Sequence, residues 1–318
     1  MWILKVSVVL VLSTLCVVLA EGRLEHVDPP QSDGVLNVTT DDTHVTISGD
    51  SPILRYHYAN VPFKPYVQEL FSPSGFNILL DAPSDHLHHH GLMFAVAAEG
   101  VDFWAELETC GKQIHKGFPV SFREEEQNGV SLGSFTEQVD WQRPTDSAIL
   151  LNESRTITAF SAPDLKATLL TWTSELTPAK ELPSAALTGS HYFGLGLRFQ
   201  PILDGIGTFR NSAGDLGQII RGEERNGRAT WSCYSAVVDG KPLTVAMFDD
   251  PANARHPATW FTMPKFAYMS ATLDLKTEPL VIKAGETLKL RYGVAIWDAQ
   301  PDDKEIEAMY QKWLALPH

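Results

Sequence analysis

Short segments in which large apolar residues alternate with polar ones recur along most of the chain. Examples are Val45–Ser48, Leu54–Tyr58 and Ala167–Trp172. Alternation with a period of two is typical of a β-strand with one buried face. Asn128-Gly129 and Asp239-Gly240 stand between such segments, and these dipeptides favour tight hairpin turns. The pattern therefore predicts many short antiparallel strands joined by hairpins.

One segment has the period of an amphipathic helix, and it lies at the end of the sequence. Pro301 and Asp302 provide a helix start signal. The apolar residues that follow share one helical face: Ile306, Met309, Tyr310, Trp313 and Leu314. We expect this helix, over residues 302–315, to pack on a sheet. Many strands without alternating helices favour an all-β fold, a large antiparallel β-sandwich with a C-terminal helix, over a βαβ fold.

The first residues have the pattern of a secretory signal. Lys5 precedes an apolar run over Val6–Leu19, and Val18-Leu19-Ala20 provides the small-residue ending that signal peptidase prefers. A retained membrane anchor is the alternative, although the run is shorter than the roughly 20 apolar residues of a spanning helix. We therefore predict a secreted or periplasmic protein with a signal peptide over 1–20, a flexible leader over 21–34 and a single β-sandwich domain over 35–318.

The charge of the chain disfavours some classes of partner. With 25 Lys and Arg against 39 Asp and Glu, the formal net charge is −14. No Lys- or Arg-rich run interrupts this acidic background, so nucleic acid and anionic membrane surfaces are poor partners. No later segment is long and apolar enough to span a bilayer, which predicts no membrane contact once the signal is removed. The partner that we expect is a small-molecule or glycan ligand.

The segment Asp85–Gly91 is the most distinctive for chemistry, because four of the eleven histidines lie within it. If the segment is extended, His86, His88 and His90 share one side and His89 points to the other. Two histidines two apart on a strand can bind one metal ion, and the preceding aspartate can orient one of them. Alternatively, the histidines bind substrate as neutral donors, or only form hydrogen bonds within a turn.

Other candidate residues are spread along the chain. His115 can complete a ligand set or transfer protons, since its unperturbed pKa of about 6.5 suits acid/base work near neutrality. Trp104 can stack on a sugar ring or belong to the core, and Arg198 can clamp an anionic group or form a structural ion pair. Asp102 and Asp249 are the candidate carboxylates for proton transfer. Arg255 and His256 are candidate loop residues for substrate binding. The predicted ligands for a divalent metal ion are His86, His88 and His115.

Several of these segments, in order along the chain, resemble a bacterial family named PmoA-like or "methane oxygenase PmoA". They are Asp81–Leu92, Val101–Trp104, Gly111–His115, Gly194–Arg198, Asn253–Pro257 and Ala284–Tyr292. The histidine block of that family reads His-Pro-His-His-Arg-Gly, whereas here Leu87 replaces the proline and His90 replaces the arginine. The resemblance therefore carries over His86, His88 and His89 but not His90. It implies a β-sandwich akin to the galactose mutarotase supersandwich, in which a histidine acid and a carboxylate base act on a sugar.

The residues and the resemblance together predict an exported enzyme that acts on a carbohydrate or related polyol by lyase, epimerase or hydrolase chemistry. In this hypothesis the histidines supply proton transfer or metal ligation, and Asp102 or Asp249 supplies the carboxylate. It requires the fold to bring His115 to His88. A non-catalytic glycan-binding module is one alternative. A metal-dependent oxygenase, which the name of the family implies, is the other.

Overall fold

The computed structural model describes residues 34–120, 122–127 and 129–317. The predicted signal peptide and most of the predicted leader lie outside the described residues. Within these ranges, no helix is long and apolar enough to cross a membrane.

Strands make up most of the regular structure. Numbered in chain order, they are β1 (Asn37–Thr40), β2 (His44–Ser48), β3 (Pro52–His57), β4 (Tyr66–Leu70), β5 (Leu92–Ala95), β6 (Ala97–Ala98), β7 (Val101–Asp102), β8 (Lys112–Gly117), β9 (Arg123–Gln127), β10 (Val130–Gln142), β11 (Ile149–Ser161), β12 (Thr168–Pro178), β13 (Ser184–Thr188), β14 (Gly194–Arg198), β15 (Thr208–Asn211), β16 (Gln218–Arg221), β17 (Glu224–Arg228), β18 (Trp231–Val238), β19 (Lys241–Asp249), β20 (Thr259–Met263), β21 (Tyr268–Thr272), β22 (Leu280–Lys283) and β23 (Leu288–Trp297). The helices are a short 3₁₀ turn, Pro201–Leu203, and α1, Asp303–Leu314.

The strands form three sheets. The first has ten strands in the order β1-β2-β3-β4-β5-β14-β21-β20-β17-β16, and the second has nine, in the order β15-β18-β19-β23-β12-β11-β10-β8 with β9 also paired to β10. A four-stranded sheet has the order β22-β13-β6-β7. The pairings between these strands are antiparallel. The predicted all-β antiparallel class is therefore confirmed.

The hairpin prediction at Asp239-Gly240 is also confirmed. These residues join β18 to β19, and their φ angles are +50° and +77°. Two successive positive φ angles define the turn type whose twist matches that of paired strands, and Asp-Gly is among the dipeptides that adopt it most readily. The second predicted hairpin joins β9 to β10 at Gly129, and its Asn128 lies outside the described residues.

The core lies between the two large sheets. Tyr56 of β3, in the ten-stranded sheet, packs against Phe135 and Trp172 of the nine-stranded sheet, with ring centroids 5.0 and 6.4 Å apart. Because inward-facing side chains of both sheets form one buried apolar cluster, the sheets pack face to face as a sandwich.

The outer face of the nine-stranded sheet is covered by α1, as the sequence predicts. Asp302 caps the helix, because its side chain accepts hydrogen bonds from the backbone N–H groups of Lys304 and Glu305. Ile306, Tyr310 and Trp313 are buried in a second apolar cluster together with residues of β18, β19 and β23. The helix therefore has a packing role.

Candidate active-site pocket

The histidine segment forms a series of turns, so the condition of an extended segment, on which the two-sided arrangement of its histidines depended, is not met. The backbone N–H of His86 donates to the carbonyl of Pro83, and that of His89 donates to the carbonyl of His86, each at 2.9 Å. Pro83 is the first residue of the first turn, since its carbonyl accepts the hydrogen bond that closes the turn. Side chains no longer alternate between two faces, and His86, His88 and His89 line one cavity.

This cavity, of about 260 Å³, is lined by residues from distant parts of the sequence: His86, His88, His89, Tyr192, Arg221, Glu224, Phe261, Phe266 and Tyr268. The order of strands explains how they meet. The loop before β5, the segment before β14, the β20–β21 connection and the β16–β17 hairpin follow one another across the ten-stranded sheet. Four aromatic side chains, Tyr192, Phe261, Phe266 and Tyr268, thus line the same cavity as a cluster of imidazoles and one carboxylate, and we call these four the aromatic wall.

The three imidazoles contact one another. The rings of His86 and His89 are stacked with centroids 4.7 Å apart, and the ring of His88 meets that of His89 edge-on at 4.6 Å. On its other side His89 stacks on Tyr268 at 5.0 Å. Burial, with smaller contributions from neighbouring positive groups, lowers the pKa of His89 to about 2 and also lowers the pKa of His88. Both rings are therefore neutral at neutral pH, and each can donate one hydrogen bond and accept another.

Glu224 is the carboxylate of the pocket, and the sequence did not point to it. It is 3% exposed. Its Oε1 accepts two hydrogen bonds from the guanidinium of Arg221, at 2.5 and 3.2 Å, and its Oε2 lies 3.3 Å from Nε2 of His191. These contacts fix the orientation of the carboxylate at the cavity wall. Nothing in the local sequence around the β16–β17 hairpin distinguishes it from other polar hairpins.

His90 lies outside this cavity, although it is adjacent in sequence to His89. Its Nδ1 is 2.6 Å from Oδ1 of Asp81, and its Nε2 is 3.0 Å from Oε1 of Glu106. The same oxygen of Glu106 accepts a 2.6 Å bond from Lys64. Burial alone would lower the pKa of His90, but the hydrogen bonds to the two carboxylates outweigh it and raise the pKa. We call this set, Lys64, Asp81, His90 and Glu106, the buried charge cluster.

The buried charge cluster closes the base of the histidine loop. Asp81 and His90 also form a backbone bridge, and the N–H of Ala82 donates to the carbonyl of His89 at 2.9 Å. The side-chain bond between Asp81 and His90 thus joins the two ends of the segment that presents the pocket histidines. His90 therefore has a positioning role, which the sequence did not reveal.

His115 is not brought to the pocket histidines, so this part of the prediction is wrong. It lies on β8 in the nine-stranded sheet, where its Nδ1 is 2.7 Å from Oε1 of Glu137 and its ring packs on Tyr58 and Phe118. Glu137 is fully buried and also accepts from the hydroxyl of Tyr56. His115 thus satisfies a buried carboxylate on a different sheet.

The predicted metal set of His86, His88 and His115 is consequently not assembled. Within residues 34–120, 122–127 and 129–317, no group of three or more His, Cys, Asp or Glu side chains is arranged to hold a metal ion.

Asp102 and Trp104 have structural contacts. Oδ1 of Asp102 accepts from the backbone N–H groups of Trp104 and Ala105, at 2.6 and 3.2 Å, and so stabilises a turn. Trp104 is 1% exposed and stacks on Phe193 at 5.0 Å. Its ring meets the ring of His89 edge-on, with centroids 6.2 Å apart. Trp104 does not line the cavity, so a sugar bound there would not stack on it.

The polar loop after β19 forms its own cluster, apart from the cavity. Oδ2 of the buried Asp249 lies 2.7 Å from Nδ1 of His256 and accepts from the N–H of Ala258. Burial raises the pKa of Asp249. Arg255 donates to the carbonyls of Leu273, Asp274 and Pro279. None of the three predicted residues of this loop, Asp249, Arg255 and His256, lines the cavity.

Arg198 is buried rather than exposed on its strand. Its Nη1 lies 3.4 Å from Oδ1 of Asp204 and 3.2 Å from the carbonyl of Ala267, and its guanidinium lies over the ring of Phe266. Of the two roles that the sequence left open, these contacts match the structural ion pair.

Comparison with known proteins gives distant structural similarities. The chain is similar to a TPR-domain containing protein from Parabacteroides distasonis at 10% identity and a TM-score of 0.35, over 81% of this chain and 48% of that one, so it spans about half of that protein. It is similar to the protein HI1317 at 10% identity and a TM-score of 0.34, over 82% and 98% of the two chains. It is also similar to a galactose mutarotase related enzyme from Lactobacillus acidophilus at 8% identity and a TM-score of 0.26, over 84% and 98% of the two chains.

No curated protein matches the sequence. A family model does match, over residues 43–311, and the chain therefore belongs to DUF6807, a family of unknown function.

Proposed function

We propose that the protein is an enzyme that acts on a carbohydrate or related polyol, with acid/base groups supplied by the cavity. One observation carries the proposal: His86, His88, His89 and Glu224 line a single cavity that four aromatic side chains also line. Titratable groups that meet in a concave, partly apolar site are the usual arrangement of an active site. The resemblance to the PmoA-like family, the export of the protein and its secreted or periplasmic location stay predictions.

The two sides of the cavity have complementary uses. The C–H face of a sugar ring can pack on Phe261, Phe266 or Tyr192, as apolar ring faces do on aromatic side chains. The neutral imidazole of His88 can accept a proton, and the carboxylate of Glu224 can accept or, once protonated, return one. Lyase, epimerase and hydrolase reactions all need a pair of groups that accept and return protons. In this proposal Glu224 replaces Asp102 or Asp249 as the catalytic carboxylate.

The test is proton NMR in D₂O with a panel of neutral monosaccharides, methyl glycosides and disaccharides. We expect at least one member to show deuterium incorporation, isomerisation or cleavage. His88→Ala and Glu224→Gln should each lower that rate by about a hundredfold or more, the usual contribution of a general acid or base. His256→Asn is the matched control, since His256 has a similar partly exposed ring outside the cavity, and it should keep the full rate.

A sugar that binds without any change would contradict the enzyme and leave a glycan-binding module, the second candidate that the aromatic wall favours. If His88→Ala keeps the full rate of the wild-type protein, the reaction takes place at a different site.

A further inference from the structure

The charges at the cavity restrict the kind of ligand that it can take. Of the side chains that line it, Arg221 and Glu224 carry opposite formal charges, and they bind each other through two hydrogen bonds. Their charges cancel locally. His88 and His89 add no charge at neutral pH, because burial lowers the pKa of both.

The buried cations near the cavity already have partners. Lys64 donates to Glu106 at 2.6 Å and to the carbonyl of Trp104 at 3.1 Å. Arg198 contacts Asp204 and the carbonyl of Ala267. Neither side chain lines the cavity. A phosphate or carboxylate that entered would therefore leave water without gaining a free cation, which is costly for an anion.

Hydroxyl groups match the polar atoms that the cavity does offer. A hydroxyl donates one hydrogen bond and accepts others, as a neutral imidazole does, whereas an anion only accepts. Nδ1 of His89, a residue only 5% exposed, has no hydrogen-bond partner. A buried polar atom of this kind is normally satisfied by a partner, and a water or a ligand group can supply one.

From these observations we propose that the ligand is an uncharged, unphosphorylated sugar ring or polyol, and that uronic acids and sugar phosphates are rejected. The proposal rests on the proposed function and deepens it. Recognition uses the imidazoles for hydroxyl groups and the aromatic wall for the C–H face. Glu224 pairs with Arg221 and so offsets the one formal positive charge among the side chains that line the cavity. In this way Glu224 also acts as a selectivity residue against anions.

The experiment compares binding of matched probes that differ only in charge: D-galactose, D-galacturonate and D-galactose 6-phosphate, and the same three forms of D-glucose. Saturation-transfer NMR at millimolar concentrations measures each. We expect binding of a neutral form and at least about fivefold weaker binding of its charged forms, the effect of one unfavourable charge near a surface.

Glu224→Gln makes the experiment more specific, because it removes the charge that offsets Arg221 and leaves the Arg221 guanidinium free to bind an anion. In this variant the preference for the neutral sugar over the matching uronate should shrink by about fivefold. Glu278→Gln, which removes an equal charge from an exposed site, should leave the preference unchanged.

Four outcomes would overturn the inference. Equal binding of neutral and charged forms would do so, and so would an unchanged preference in Glu224→Gln. If only charged forms bind and His88→Ala abolishes that binding, the ligand class is wrong but the proposed function stands. If no probe binds, both are wrong.

Discussion

His89 and His90 are adjacent in the sequence, yet the structure places their rings in opposite environments. His89 packs on other aromatic rings, without a charged partner, and its pKa is lowered to about 2. His90 lies between the carboxylates of Asp81 and Glu106, and its pKa is raised. The same residue type thus serves two purposes within one loop. One histidine offers a neutral ring to the cavity, and the next holds the loop in place through charge.

The largest expected loss of folding stability comes from a substitution in the buried charge cluster, at Glu106. Glu106→Ala leaves Lys64 buried without its carboxylate and His90 with one of its two partners. Removing one member of a buried ion pair typically costs about 3–5 kcal/mol, so we expect a loss of that size in the free energy of unfolding, measured by urea denaturation. Glu108→Ala, two residues along on the exposed surface, should change it by less than about 0.5 kcal/mol. Equal effects of the two substitutions would show that the cluster does not hold the loop.

The next largest expected effect is the loss of folding stability that His89 causes as the pH falls. In the unfolded chain this ring takes up a proton near pH 6.5, whereas in the folded protein its pKa is about 2. Stability is therefore lost as the pH falls below about 6.5, by about 1 kcal/mol per pH unit. Unfolding measured between pH 7 and 5 should show a shallower loss in His89→Gln than in the wild-type protein. Parallel curves would mean that His89 is accessible to protons when folded.

The contribution of His90 to stability should change with pH in the opposite direction to that of His89. Because its folded pKa is raised, its stabilisation is fully present below the unfolded pKa of about 6.5 and is lost as the pH rises through the folded pKa. The stability difference between the wild-type protein and His90→Gln should therefore shrink from pH 6 towards higher pH. A difference that grows with pH would contradict a charged His90.

The smallest effect is expected at His115. His115→Asn removes one hydrogen bond to the buried Glu137, which keeps its bond from Tyr56, so the cost should be about 1 kcal/mol in unfolding. Sugar binding should not change, since His115 does not line the cavity. Loss of binding with unchanged stability would restore His115 to the site.

The fold class was predictable because its signals are local. Alternation along the strands, Asp239-Gly240 at a hairpin and the capping residue Asp302 each act within a few residues, and each is found as expected. The histidine cluster was predictable for the same reason.

The remainder of the site depends on contacts between distant segments. Glu224 lines the same cavity as His88 although three strands, β14, β21 and β20, lie between β5 and β17 in the sheet. The error at Asp102 arose because an aspartate beside aromatic residues has the same appearance whether it binds a ligand or, as here, caps a turn. His90 was set aside because it replaces the arginine of the resembling family, and the sequence alone does not show Asp81 and Glu106 as its partners.

The decisive measurement is a crystal structure of the protein soaked with the neutral sugar that the NMR panel identifies. We expect the sugar ring to lie against Phe261, Phe266 or Tyr192, with hydroxyl groups within hydrogen-bond distance of His88 or His89 and of Glu224. A sugar bound elsewhere on the molecule, with only solvent in this cavity, would contradict it.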